Sequence, residues 1–140
     1  MPTKIAANVE SKLKLCRLLV AVFLVTLPGM IRGVEQMVGR VIPPVKISLR
    51  LLIVITIGAI FLGFWARIQF VWPATRALRA NPESGALPKW QVGQLAGAIC
   101  AEWIGLLGML WRSQGGSLRF ASFFYAPAFA LLSFWFPRRP

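Results

Sequence analysis

Residues 92–111 read VGQLAGAICAEWIGLLGMLW, twenty consecutive positions in which Glu102 is the sole charged residue. Wound as an α-helix they cover about 30 Å, which is the hydrocarbon thickness of a bilayer. Lys89 and Arg112 bracket the stretch, placed to snorkel toward headgroups. A membrane-spanning helix follows from this stretch alone. Within it Gly93, Gly97, Ala101 and Gly105 recur every fourth residue and line up as a ridge along one face. Glycine is common in membrane helices for several reasons. Four small residues in strict register nevertheless point to a helix-packing interface, where backbones approach closely and dispersion and Cα–H···O contacts accumulate.

Glu102 stands at the middle of the same stretch, one position from the ridge. A carboxylate at the centre of a spanning helix costs roughly 2.5–3.5 kcal/mol on insertion scales, so it calls for a partner or a proton. The expected partner is a Lys, an Arg or a backbone donor on another chain, or a Gln94-type donor across the interface. A proton relay would need a series of titratable groups, and the chain has no second one at that depth. An interface role for Glu102 is the stronger reading.

The rest of the chain repeats the pattern of apolar blocks between cations. Residues 51–66 are apolar and sit between Arg50 and Arg67, and the spacing predicts a spanning helix over 46–72. Residues 18–31 hold fourteen uncharged positions, about 21 Å of helix, with Pro28-Gly29 near the end. This short segment reads as a partly inserted continuation of the N-terminal helix or as a tilted span. Residues 120–137 are uncharged and aromatic, with Pro127 placed to kink them, and fit a fourth span, a re-entrant segment or an interfacial wedge. Residues 73–91 read as a loop punctuated by Pro and Gly, with a short helix over 74–80.

Residues 1–17 have the pattern of a basic amphipathic helix, with Ile5, Val9, Leu13 and Cys16 on one face. Basic, acid-poor starts of this kind resemble mitochondrial targeting sequences, and they also suit a helix lying on lipid headgroups. The expectation is therefore an all-α integral membrane protein. It would form a single membrane domain over 1–140, with two to four transmembrane helices and an N-terminal basic amphipathic helix.

Composition agrees. The 140 residues are 57% hydrophobic and only 14% charged, too few polar groups to cover a soluble domain of this size. Sixteen Lys and Arg stand against four Glu, for a net charge of +12. These cations flank apolar blocks instead of forming one arm with interleaved aromatics, which argues for lipid and against nucleic acid. Arg50, Arg67, Arg112 and Arg119 are the expected contacts to anionic headgroups such as cardiolipin. Whether or not the first block crosses, ten basic residues fall on one side and six on the other, so charge sets only a weak orientation.

The chain has no His, and Cys16 and Cys100 are far apart with no CxxC. Neither a metal site nor a nucleophile–base set can be assembled from such material. No cofactor and no catalysis are expected.

The stretch 87–120, with C-A-E-W-I-G-L-L-G at 100–108 followed by Arg112 and Gly115-Gly116, resembles the C-terminal helix of mitochondrial ATP synthase subunit g. The resemblance covers about a quarter of the chain. It implies a multi-pass place in the mitochondrial inner membrane and a non-catalytic structural role in dimerising the enzyme and shaping cristae. A subunit-e-like helix would be the partner, with Glu102 as the embedded acid and Gly105 and Gly108 near the packing motif. The family often shows a second Glu between two glycines and then paired basic residues; here stand Gly105-Leu106-Leu107-Gly108 and a lone Arg112. Two alternatives remain open: an accessory subunit of a respiratory-chain complex, and a small transporter or proton channel using Glu102.

Overall fold

The computed structural model describes residues 4–38, 46–81 and 84–137, and the described residues are mostly helical. Helix α1 is Lys4–Met37, α2 is Leu49–Ala66, α3 is Trp72–Ala80, α4 is Leu87–Ser113 and α5 is Leu118–Phe134. A π-helical turn, Arg67–Val71, joins α2 to α3 without a break. Three stretches are long and apolar enough to cross a membrane: Ala7–Met37, Leu49–Ala80 and Leu87–Ser113, with α5 a shorter apolar helix beside them. The protein is an all-α membrane protein.

Local chemistry accounts for most of the boundaries. Ser48 caps α2 by accepting a hydrogen bond from the Leu51 amide, and Ser117 caps α5 by accepting one from Phe120. Pro88 occupies a first-turn position of α4, where the missing N–H is no loss, whereas Pro73 follows the π turn within the continuous α2–α3 helix. Gly115 turns the chain between α4 and α5 with φ +84°, a conformation that disfavours any side chain.

Several segments differ from the sequence expectation. Residues 4–37 are one helix: Pro28-Gly29 does not end it, because a proline in a spanning helix frees a single carbonyl that neighbours can tolerate. In the stretch read as a loop with a short helix over 74–80, that helix is α3, continuous with α2, and α4 begins earlier than expected, at Leu87. The aromatic segment is a continuous helix antiparallel to α4, not a re-entrant turn; Trp111 meets Phe120 at one end and Gly97 meets Trp135 at the other. Beyond residue 31 the helix continues to Met37, and Pro43-Pro44 lies outside the described residues.

α4 is the centre of the bundle, with α1, α2 and α5 packed round it. The registers are regular. α1 runs parallel to α4, with Leu27 against Gly105 and Glu35 paired to Arg112, 77 residues later. α2 runs antiparallel: the Ile47 amide donates to Gln114 Oε1 at 2.5 Å, and Gly63 faces Cys100. On α1 the buried positions Leu13, Cys16, Val20 and Leu27 keep the three-and-four spacing of a supercoiled seam. The apolar face expected to lie on headgroups is thereby used: Leu13 and Cys16 pack with Val71, Ala74, Leu78, Leu87 and Trp90.

Candidate functional site

The ridge on α4 lies in the core, and four glycines there sit under side chains of this same chain. A Cβ at Gly93 would fall 2.6 Å from Val71 and 2.9 Å from Phe70; at Gly97, 2.9 Å from Trp135; at Gly105, 2.5 Å from Leu27. Ala101 is fully buried between them. Gly108 continues the series, 2.6 Å from Tyr125 and 2.9 Å from Phe124. Real Cβ atoms do not come so close, so a side chain at any of these positions requires its neighbour to shift, most easily at Gly105, where the neighbour is the end of Leu27.

A second subunit was the expected cover for this ridge. Within the described residues the groups lying on it belong to this chain: α1, the π turn, α5 and Trp135. The physical reason is reach. A helix at the centre of a bundle has neighbours on most of its circumference, and small residues are what let those neighbours close in.

Trp135 is the residue that sequence reasoning missed. It follows α5, and its ring lies between α2 and α4, with positions Gly63 and Gly97 on either side, at 2.8 and 2.9 Å from an added Cβ. Phe64 meets it edge-on, with centroids 5.1 Å apart, and the Arg67 guanidinium lies 5.6 Å over the ring. Ala59 and Gly63, four apart, permit a close contact on α2, but nothing near them in the chain points to Trp135, 72 residues later.

The far end of α4 carries the second polar feature. Arg112 Nε donates to Glu35 Oε1 at 2.5 Å, a second guanidinium nitrogen donates to Glu35 Oε2, and the third donates to the Gly116 carbonyl at 2.6 Å. The side chains are 14% and 29% exposed, so this forked pair is partly screened from water. Arg112 was expected to hold a lipid headgroup; its donors instead face Glu35 and Gly116. Arg50 and Arg119 are exposed near the same end, whereas Arg67 is half-buried on Trp135.

Glu102 sits at the edge of the buried face, beside the exposed Ile99 and Trp103. Its Oε2 is inaccessible and has no hydrogen-bond partner among the described residues. The α1–α4 register sets Val25 level with it, and the segments around it, 21–29, 57–65 and 127–134, hold no charged residue.

No family model, curated protein or solved structure matches this chain. Among the described residues no three His, Cys, Asp or Glu side chains gather as metal ligands. The buried polar side chains in the core are Thr56, which donates to the Leu52 carbonyl at 2.9 Å, and Gln94. An apolar groove lined by Ala21, Val22, Val25 and Thr26 lies open on the outer side of α1, facing away from the α4 seam.

Proposed function

We propose that the chain is a non-catalytic structural subunit of a multi-pass membrane complex. In its most specific form it is a subunit-g-like component of the mitochondrial ATP synthase membrane region, supporting dimerisation and cristae shaping. The observation that carries the reading is Glu102. A carboxyl group at mid-depth that the bundle covers only in part, with one oxygen lacking a partner among the described residues and with exposed Ile99 and Trp103 beside it, suits a contact to another subunit. Because the ridge is already filled, a subunit-e-like helix would meet α4 on the Glu102 side. The thin set of buried polar groups favours this over a conduit, which needs further polar groups leading to Glu102.

The test is purification of the native chain from a mild-detergent extract, with the co-purifying subunits quantified by mass spectrometry. ATP synthase subunits in fixed ratio would support the specific reading. Respiratory-complex subunits would move the chain to that assembly. A chain recovered alone, and active in proton flux after reconstitution, would overturn the structural role.

A further inference from the structure

The registers define a membrane position more closely than hydropathy does. The outermost exposed large apolar residues at the α3 end are Leu15 on α1, Trp72 after the π turn and Val92 on α4. At the opposite end they are Met37, Leu51 and Leu118. Along α4 this band runs from Val92 to about Arg112, about 30 Å, so one bilayer fits all the helices at once.

At the α3 end the helices do not stop at the band. The start of α1, all of α3 and the first turn of α4 continue past it, held together by the cluster around Leu13, Cys16, Leu78 and Trp90. Outside that cluster stand Lys12, Lys14, Arg76 and Lys89, on three different helices, with Arg79 a turn further out. Counted from the band edge they rise one to four residues, about 2–6 Å, which is the depth of the headgroup layer. Glu10, bound to Lys14 at 3.4 Å, is the described acid among them. Directly beneath lie Leu15 and Trp72, each about half exposed and apolar.

We propose that this end is a collar for anionic lipid, with Lys12, Lys14, Arg76 and Lys89 holding phosphate headgroups while Leu15 and Trp72 contact the acyl chains below. Cations above an exposed apolar ring match a lipid, charged at one end and greasy at the other. A free phosphate ion would leave the apolar ring without a role. At the opposite end Arg112 is paired with Glu35, and the exposed Arg50 and Arg119 serve as the comparison. The inference does not depend on which complex the chain belongs to, and it places the main lipid contacts at residues other than Arg50, Arg67, Arg112 and Arg119.

The experiment is reconstitution of the full chain into phosphatidylcholine vesicles containing spin-labelled phosphatidylglycerol or spin-labelled phosphatidylcholine. The collar predicts an association about threefold or more stronger for the anionic label, weakening with salt. Lys12→Gln, Lys14→Gln, Arg76→Gln and Lys89→Gln together should reduce it to the phosphatidylcholine level, while Arg50→Gln with Arg119→Gln should keep it. Equal association of the two labels, or selectivity surviving the fourfold change, would overturn the proposal. Selectivity displaced by inorganic phosphate at matched ionic strength would assign the cations to a free ion and overturn it as well. For a chain that enters vesicles poorly, a photoactivatable phosphatidylglycerol in native membranes gives the same answer. Its adducts should map to the peptides containing Lys12–Lys14 and Arg76, and adducts confined to the Arg50 or Arg119 peptides would sink the collar.

Discussion

Two helices of this bundle are both membrane spans, yet they solve opposite problems. α2 is the more apolar, and it buries only Leu52, Thr56, Gly63 and Ala66, a single stripe against α4. Ile53, Val54, Ile57, Phe61 and Leu62 point outward. α4 carries four glycines under contact, two Gln and a Glu, and it is buried along most of its length. In water the most hydrophobic helix would sit at the centre. In lipid the outside is as apolar as the inside, so hydropathy marks the helix that faces lipid, and small residues mark the one that others surround.

The comparison breaks most sharply at the glycines. Gly97→Leu places a branched side chain where the Trp135 ring stands, and Gly93→Leu meets Val71 and Phe70. Each should cost about 3 kcal/mol or more and leave little folded protein. Gly58→Leu on α2 is the matched control, since nothing lies within 4 Å of its Cβ position. It should be nearly silent. Thermal unfolding in detergent, read by intrinsic fluorescence and protease resistance, separates the two helices; equal losses at Gly58 and Gly97 would mean that α4 is not the packed centre.

A somewhat smaller loss is expected from the plug. Trp135→Ala empties the slot between Gly63 and Gly97 and should destabilise the bundle by about 3 kcal/mol, in the range for truncating a buried aromatic. The sharper readout is coupling. Trp135→Ala should rescue part of the Gly97→Leu defect, because both changes act on one volume. Strict additivity of the two effects would show that the ring and the glycine do not share that slot.

Next comes the ion pair. Arg112→Gln leaves Glu35 with no guanidinium at a partly screened site and should cost about 2 kcal/mol, the scale of hydrogen bonds to charged groups. Glu35→Arg combined with Arg112→Glu should regain part of it. If the double reversal is no better than either single change, the pair does not register α1 against α4.

Much of this was legible in the residues. The twenty-residue span, the ridge and the cation-flanked blocks identify an all-α membrane protein, because length, small-residue spacing and charge placement are local properties. What was not legible is whose side chains fill the ridge. Gly93, Gly97 and Gly105 announce a close approach, but the approaching groups are Val71, Trp135 and Leu27, from three separate stretches. Only the register decides that, and register depends on all the helices together. Glu35 illustrates the same limit: it lies 77 residues from Arg112, and nothing near it in the chain points there. Helix continuity through Pro28 was hidden for another reason, since local breakers lose their force where neighbours hold the backbone.

The smallest effect on the fold is expected at Glu102, and that is what makes it informative. Its Oε2 has no partner among the described residues, so removing it breaks no bond described within the bundle. Glu102→Leu should leave the unfolding temperature of the isolated chain unchanged or slightly raised, because a carboxylate at mid-depth is itself unfavourable. Glu102→Gln should behave alike, keeping hydrogen-bonding capacity without charge. The two must then part in the native complex: Leu should release a partner subunit, and Gln should be milder. If the host is an ATP synthase, native gels should shift from dimer toward monomer for Leu with ATP hydrolysis retained. A marked loss of stability in the isolated chain would show that Glu102 serves the bundle itself. Intact assembly with abolished proton flux would instead make it a transport residue and would reverse the contrast between a surrounded α4 and a lipid-facing α2, since α4 would then line a pathway.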